Sequence, residues 1–223
     1  MNEVALGEGG RLAVQARIRN GVSARPVVAS LLLTDSGIPS FNPSPSPIRS
    51  LTVKTVYLLR HAKSSWDQPS LTDDQRPLAP RGIKAAPRVG AHMLREGFVP
   101  DRVLCSAARR AQETWELVSE ALGSGSPVEV LSELYLASPS TLLTLIQGLA
   151  DDEGSVLLVG HNPTFEDLAL ALAGTGEEGA LDALESKYPT GALAVLEFRV
   201  RSWREVRPGI GFLRAFVRPK ELK

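Results

Sequence analysis

From Val53 onward, apolar runs alternate with amphipathic stretches along the chain. Val53 to Leu59 (VKTVYLL) is β-branched and apolar, which predicts a buried strand. Pro80 to Glu96 sets Ile83, Val89, Met93 and Leu94 on one helical face, and Gly97 stops that helix. Arg102 to Cys105 predicts a short strand leading into a helix from about Ala107 to Leu122. Val128 to Leu131 is another short apolar run. Ser138 followed by Pro139 caps a helix that carries Leu142, Leu145, Ile146 and Leu149. Ser155 to Val159 predicts a strand, and Pro163 opens a helix running through Ala173 and ending at Gly174. Ala192 to Phe198 and Phe212 to Val217 are the closing strands. Strands apolar on both faces, alternating with helices, predict an α/β fold: a three-layer sandwich with a mostly parallel central sheet.

Residues 1–50 have a different character. Ser36 to Ser50 (SGIPSFNPSPSPIRS) is rich in proline and serine and buries no face, so it reads as an extended linker. Val27 to Leu33 is apolar but short. The expectation is a disordered or poorly ordered extension over 1–50 and one domain over 51–223. Glu3 and Glu8 come too early for a secretory signal. Arg11, Arg17, Arg19 and Arg25 accompany serines, as in an organelle transit peptide, but the acidic start argues against one. A cytoplasmic protein is expected.

The 223 residues are 43% hydrophobic and 22% charged, an ordinary globular composition. Formal charge is zero, so the chain as a whole offers no field for nucleic acid or a membrane surface. An anion site would have to be a local cluster of cations. The single Cys105 excludes an internal disulfide. No apolar run approaches the roughly 20 residues of a membrane span.

The candidate chemistry lies where strands end, the edge at which open α/β sheets bind ligands. Arg60 and His61 directly follow the first strand. Ser106 to Thr114 (SAARRAQET) opens a helix whose free N–H groups and dipole favour an anion. Arg109 and Arg110 in its first turn oppose that dipole unless an anion sits there, and a guanidinium fork suits phosphate. Gly160-His161-Asn162-Pro163 repeats the pattern, with Gly160 permitting a sharp bend. Taken alone, Arg60-His61 reads as a solvated strand end, Arg109-Arg110 reads equally as a solvated pair, and His161 reads as a structural histidine. Together they make a cationic pocket in which a phosphoryl group could be neutralised and met in line by histidine.

The strand–LRHA–KSSW block, the pattern Ser106, Arg110, Ala111, Thr114, and the GHNP turn resemble the histidine phosphatase superfamily. The RHAKSSW opening and the PTGALAVLEF run at Pro189 to Phe198 are most similar to its SixA-type phosphohistidine phosphatases. The similarity covers about Val53 to Pro219. It implies a phosphoglycerate mutase-like fold, no cofactor and no metal. The substrate would be a phosphorylated protein or a small phosphate ester, with no nucleic-acid or membrane partner. His61 would be the phospho-accepting nucleophile, Arg60 and Arg110 would grip phosphoryl oxygens, and His161 would donate a further hydrogen bond. Ser64 matches a small hydroxyl residue near the phosphate in related mutases.

The departures narrow the substrate. Asp67 stands where the mutases carry an asparagine that donates to phosphate, which counts against a mutase. Asn162 replaces the leaving-group acid of phytase-like members, and Glu133 is the one mid-chain match for a general acid. A neutral imidazole departs from a phosphoramidate without strong acid help, so phosphohistidine suits a site with a weak acid. The connections after His61 and before Arg110, read as short, predict an open pocket. The alternatives are a general phosphatase for small phosphate esters and a non-catalytic phosphate-binding module. A cysteine phosphatase is set aside, because Cys105 and Arg110 enclose one residue too few. His92, mid-helix among polar neighbours, joins no ligand set.

Overall fold

The computed structural model describes residues 50–222, together with a two-residue antiparallel pairing of Leu6–Gly7 with Arg11–Leu12 that forms part of a separate unit. The linker, the short apolar run and the arginines considered for targeting lie outside the described residues, apart from Arg11 and Ser50.

The main unit runs β1 (Thr52–Arg60), α1 (Pro80–Glu96), β2 (Arg102–Ser106), α2 (Arg109–Leu122), β3 (Val128–Leu131) and α3 (Pro139–Gln147). It continues with β4 (Ser155–Gly160), α4 (Thr164–Leu172), β5 (Ala173–Gly176), α5 (Ala180–Ser186), β6 (Leu193–Val200) and β7 (Gly211–Val217). The seven strands form one sheet in the order β3-β2-β4-β1-β6-β7-β5. The pairings β3–β2, β2–β4, β4–β1 and β5–β7 are parallel, whereas β1–β6 and β6–β7 are antiparallel.

Alternation along β1 explains the three layers. Tyr57 and Leu59 join the core under α1 and α2, with Val89, Met93 and Val118. Val56 and Leu58 point the other way, into the core under α3 and α4, with Leu142, Ile146, Phe165 and Leu172. Val56, Leu58 and Leu59 are completely buried, each stabilising the fold by about 1.5–3 kcal/mol. Over residues 56–59 the strand has no solvent face, which is why that stretch reads as an unbroken apolar run.

Two details depart from the sequence reading. Ile83 and Leu94 are exposed, and the buried stripe of α1 is Gly82, Ala86, Val89, Gly90 and Met93. The reason is close approach: a Cβ at Gly90 would lie 2.3 Å from the Val118 carbonyl oxygen on α2. The helix from Pro163 begins at Thr164 and stops at Leu172, because Ala173–Gly176 pairs with β7 as an edge strand.

Because β1, β2 and β4 are parallel, Arg60, Ser106 and Gly160 end on one edge. The three turns that follow them are therefore neighbours.

Candidate active site

Hydrogen bonds to Gly160, Gly191 and Thr114 fix the backbone of the first turn. His61 N–H donates to the Gly160 carbonyl at 2.9 Å, and Gly191 N–H lies 3.1 and 3.0 Å from the carbonyls of Arg60 and His61. Ala62 N–H donates to Thr114 Oγ1 at 2.9 Å, and the Thr114 hydroxyl donates to the Arg110 carbonyl at 2.6 Å. The turn after β1 and the first turn of α2 are thus tied through one hydroxyl.

The buried ring of His61 has its Nδ1 2.7 Å from the Ala62 carbonyl. A carbonyl only accepts, so Nδ1 carries the proton and Nε2 carries the lone pair. Nε2 faces Arg110, whose Nε–H donates to it at 3.3 Å. The His161 ring lies 5.1 Å away, centroid to centroid. Its Nε2 is 2.8 Å from Ser106 Oγ, and its Nδ1 is 3.4 Å from Arg110 Nη2. His61, Arg110 and His161 therefore share one small volume, each reached from a different strand end.

Burial holds His61 well below the usual histidine range, at about 3; the Ala62 carbonyl opposes this, and the charges of His161, Arg110 and Arg60 add to it. Burial and the Arg110 charge likewise bring His161 down to about 4. Both rings are neutral near pH 7. Arg60 is half-buried, its Nη1 donates to the Tyr188 carbonyl at 2.6 Å, and its Nε is buried without a partner.

Asp73 completes the cluster. Its Oδ2 accepts from Arg110 Nη2 at 2.8 Å and from the Tyr135 hydroxyl at 2.8 Å, and its backbone carbonyl accepts from Arg110 Nη1. Its Oδ1 accepts from Arg76 Nη1 at 2.7 Å. Burial alone would raise this carboxyl, but hydrogen bonds from Tyr135 and Arg76 and the Arg110 charge bring it down to about 2. The segment after His61, residues 62–79, is therefore not a short open connection, because it folds back to lay a carboxylate on Arg110.

The remaining sequence candidates are placed differently. Ser64 is buried, and its Oγ accepts from Arg76 Nη2 at 2.8 Å. Glu133 is exposed on a 3₁₀ turn, without a hydrogen bond to the cluster. Asp67 is exposed and accepts from Ser65. Arg109 lies outside on α2, paired with Glu113 at 2.7 Å. Burial pushes the Cys105 thiol up to about 12, which makes it a poor nucleophile. His92 sits on α1 beside Arg95 and Glu96. Gly160 does not need a left-handed backbone for the bend; a Cβ there would meet the Phe165 ring at 2.7 Å. Asp73, Tyr135 and the supporting roles of Ser106 and Thr114 escaped the sequence reading. Only the fixed spacing of Ser106 and Thr114 around Arg110 hinted at them. Among the described residues, no three His, Cys, Asp or Glu side chains are grouped to hold a metal ion.

The chain is similar to known proteins. Residues 56–135 match the family model of the histidine phosphatase superfamily, branch 1. A Mycobacterium tuberculosis protein of uncharacterised function is 36% identical over 164 residues, spanning 73% of this chain and 100% of that one. The crystal structure of a candidate phosphohistidine phosphatase SixA from Agrobacterium tumefaciens superimposes with a TM-score of 0.63 at 35% identity, covering 74% of this chain and 98% of that one. The chain belongs to the histidine phosphatase superfamily. Phosphohistidine phosphatase SixA of Escherichia coli is 34% identical over 111 residues, or 48% of this chain and 67% of that one. Membership, with SixA-like neighbours, supports phosphatase activity. Beside His161 this histidine phosphatase has a cavity of about 180 Å³, lined by Leu134, Leu136, Ala137 and Asn162 among others. Leu136 is left-handed there (φ 61°). No helix among the described residues is long and apolar enough to cross a membrane.

Proposed function

We propose that this histidine phosphatase hydrolyses phosphohistidine on proteins through a covalent phospho-His61 intermediate. The observation that carries the reading is the orientation of His61. Its proton is held on Nδ1 by the Ala62 carbonyl, and its Nε2 lone pair faces the guanidinium of Arg110.

In the first step the Nε2 lone pair attacks phosphorus while the phosphorus–nitrogen bond of the substrate breaks. The bonding pair goes to the departing imidazole, which leaves neutral because its other nitrogen already bears a proton. Arg110 and Arg60 neutralise the phosphoryl oxygens. Arg110 gives up the Asp73 carboxylate for the phosphoryl group or shares its guanidinium between the two. His161 Nδ1 faces the Arg110 Nη2 donor; once Arg110 turns to the phosphoryl oxygens, the Ser106 hydroxyl donates to Nε2, which leaves a proton on Nδ1 for the transferring group. In the second step water attacks phosphorus, the pair returns to Nε2 of His61, and inorganic phosphate departs with the proton balance carried by solvent. A strong general acid is not needed for a neutral leaving group. That fits Asn162 after the second histidine and Glu133 on the exposed surface. The cations already present supply the charge neutralisation without a metal.

The test compares wild type with His61→Ala on a phosphohistidine peptide and on p-nitrophenyl phosphate, without added metal. Turnover is expected to fall by more than about 100-fold in the variant. Brief mixing of wild type with labelled substrate should trap an alkali-stable, acid-labile label on His61. Wild-type turnover of p-nitrophenyl phosphate as good as that of the peptide would favour a small-ester phosphatase. No label and no turnover would leave a phosphate-binding module.

A further inference from the structure

Beside the nucleophile turn, the N-terminal half of α1 and the 3₁₀ turn Pro219–Glu221 form the walls of a groove of about 400 Å³. Arg81, Lys84 and Arg88 line it from the helix, Lys220 from the turn, with Pro80 and Pro219 at its sides. All four cations are exposed. The ion pairs and hydrogen bonds of the described residues leave every one of them without a partner. Glu221, the neighbouring acid, is taken by Arg218 at 2.6 Å. Helix α1 contains no carboxylate before Glu96, so its first three turns are purely cationic. Arg81 stands in the first turn, where a helix dipole disfavours positive charge unless an anion is near. In a chain of zero formal charge, this concentration is local.

Both walls are built on the backbone of the nucleophile turn. Ala79 N–H donates to the Lys63 carbonyl at 2.8 Å, and Gly82 packs so closely on Lys63 that a Cβ would lie 2.3 Å from that carbonyl oxygen. On the other side Pro219 packs on Gly191, whose N–H is shared by the carbonyls of Arg60 and His61. Strand β7 ends beside Leu193, which pairs with Leu59, so the Pro219 turn lies on the same sheet edge as His61.

We propose that this groove binds an acidic segment of the polypeptide that carries the phosphoryl group, a reading that rests on a phosphoprotein being the substrate. Arg81 to Arg88 spans about 10 Å along the helix. That is the length of about three extended residues. A substrate chain leaving the His61 pocket would therefore place two or three carboxylates along the stripe. A nucleic-acid duplex needs a longer basic face than four cations supply.

The experiment uses the full chain and the variant R81S/K84S/R88S/K220S. Two phosphohistidine peptides of equal length are compared, one with aspartates flanking the phosphorylated residue and one with serines. Wild type should turn over the acidic peptide about tenfold more efficiently, through a lower KM, and the preference should fade at high salt. The variant should lose the preference while its turnover of p-nitrophenyl phosphate stays unchanged. Equal efficiency on both peptides with wild type, or a preference that survives in the variant, would overturn the proposal. Fluorescence anisotropy with the unphosphorylated acidic peptide separates the two readings. If wild type hydrolyses neither peptide yet binds the acidic one and the variant does not, the groove stands and the phosphohistidine substrate falls. An oligonucleotide duplex bound more tightly than the peptide would overturn the choice of partner.

Discussion

The Arg110 guanidinium that faces His61 is paired with the Asp73 carboxylate. A phosphoryl group must displace that carboxylate or share the guanidinium with it, at the cost of repulsion between two anions a few ångströms apart. Asp73→Asn removes the charge and keeps the shape. Inorganic phosphate should then bind about five- to tenfold more tightly, as expected when unit like charges about 5 Å apart, half-exposed to water, interact at an effective dielectric of about 50–65. Isothermal titration with phosphate checks this, and unchanged or weaker binding would show that Asp73 does not compete. His61, Arg60, Arg110 and His161 were legible in the sequence because each lies at or just beyond a strand end, where the local pattern announces an edge. Asp73 was not, since its link to Arg110 crosses 37 positions and exists only once residues 62–79 fold back. Tyr135 was hidden for the same reason, as its bond to Asp73 crosses 62 positions.

At the scale of elements, helices α1 and α2 set the position of Arg110 and Thr114. Their contact uses small residues: a Cβ at Gly90 would sit 2.3 Å from the Val118 carbonyl and 3.0 Å from the Ala121 side chain. Gly90→Ala would gain about 1 kcal/mol of helix propensity. The backbone clash costs more, because two helices must part, and overpacking of this kind costs about 1–3 kcal/mol. A net loss of up to about 2 kcal/mol is expected in urea denaturation, together with a lower kcat as α2 carries Arg110 away from His61. A stabilised variant with full activity would refute the tight crossing. The same contact explains why the face of α1 was misread. Periodicity weights large apolar residues such as Ile83 and Leu94, whereas the close contacts of this face are made by Gly82 against Lys63 and Gly90 against Val118. Strand β1 was legible because residues 56–59 are buried on both faces and apolar throughout. Strand β5 was not: its sequence AGTG carries no strand pattern, and the pairing with β7 alone holds it extended.

Across the whole molecule, the site sets how stability depends on pH. His61 and His161 have folded-state values near 3 and 4, below the roughly 6.5 of an unfolded histidine. Between those limits the unfolded chain binds protons that the native state refuses, so stability rises with pH through this window and is lost as pH falls. Lowering the pH from 6.5 to 4.5 should cost on the order of 2 kcal/mol for each ring, since both stay neutral in the native state while the unfolded rings charge. Asp73 works in a lower window: its depressed value near 2 contributes stability above the unfolded carboxylate range near 4, lost only as pH falls below that. Half-buried His92, also lowered, is common to any comparison that leaves it intact. The double variant His61→Gln, His161→Gln should therefore lose about 4 kcal/mol less than wild type over this interval, in urea denaturation at the two pH values. Equal losses would mean that the two rings are not held neutral by the fold. Phospho-transfer would then require a proton to be removed from His61 before it could attack.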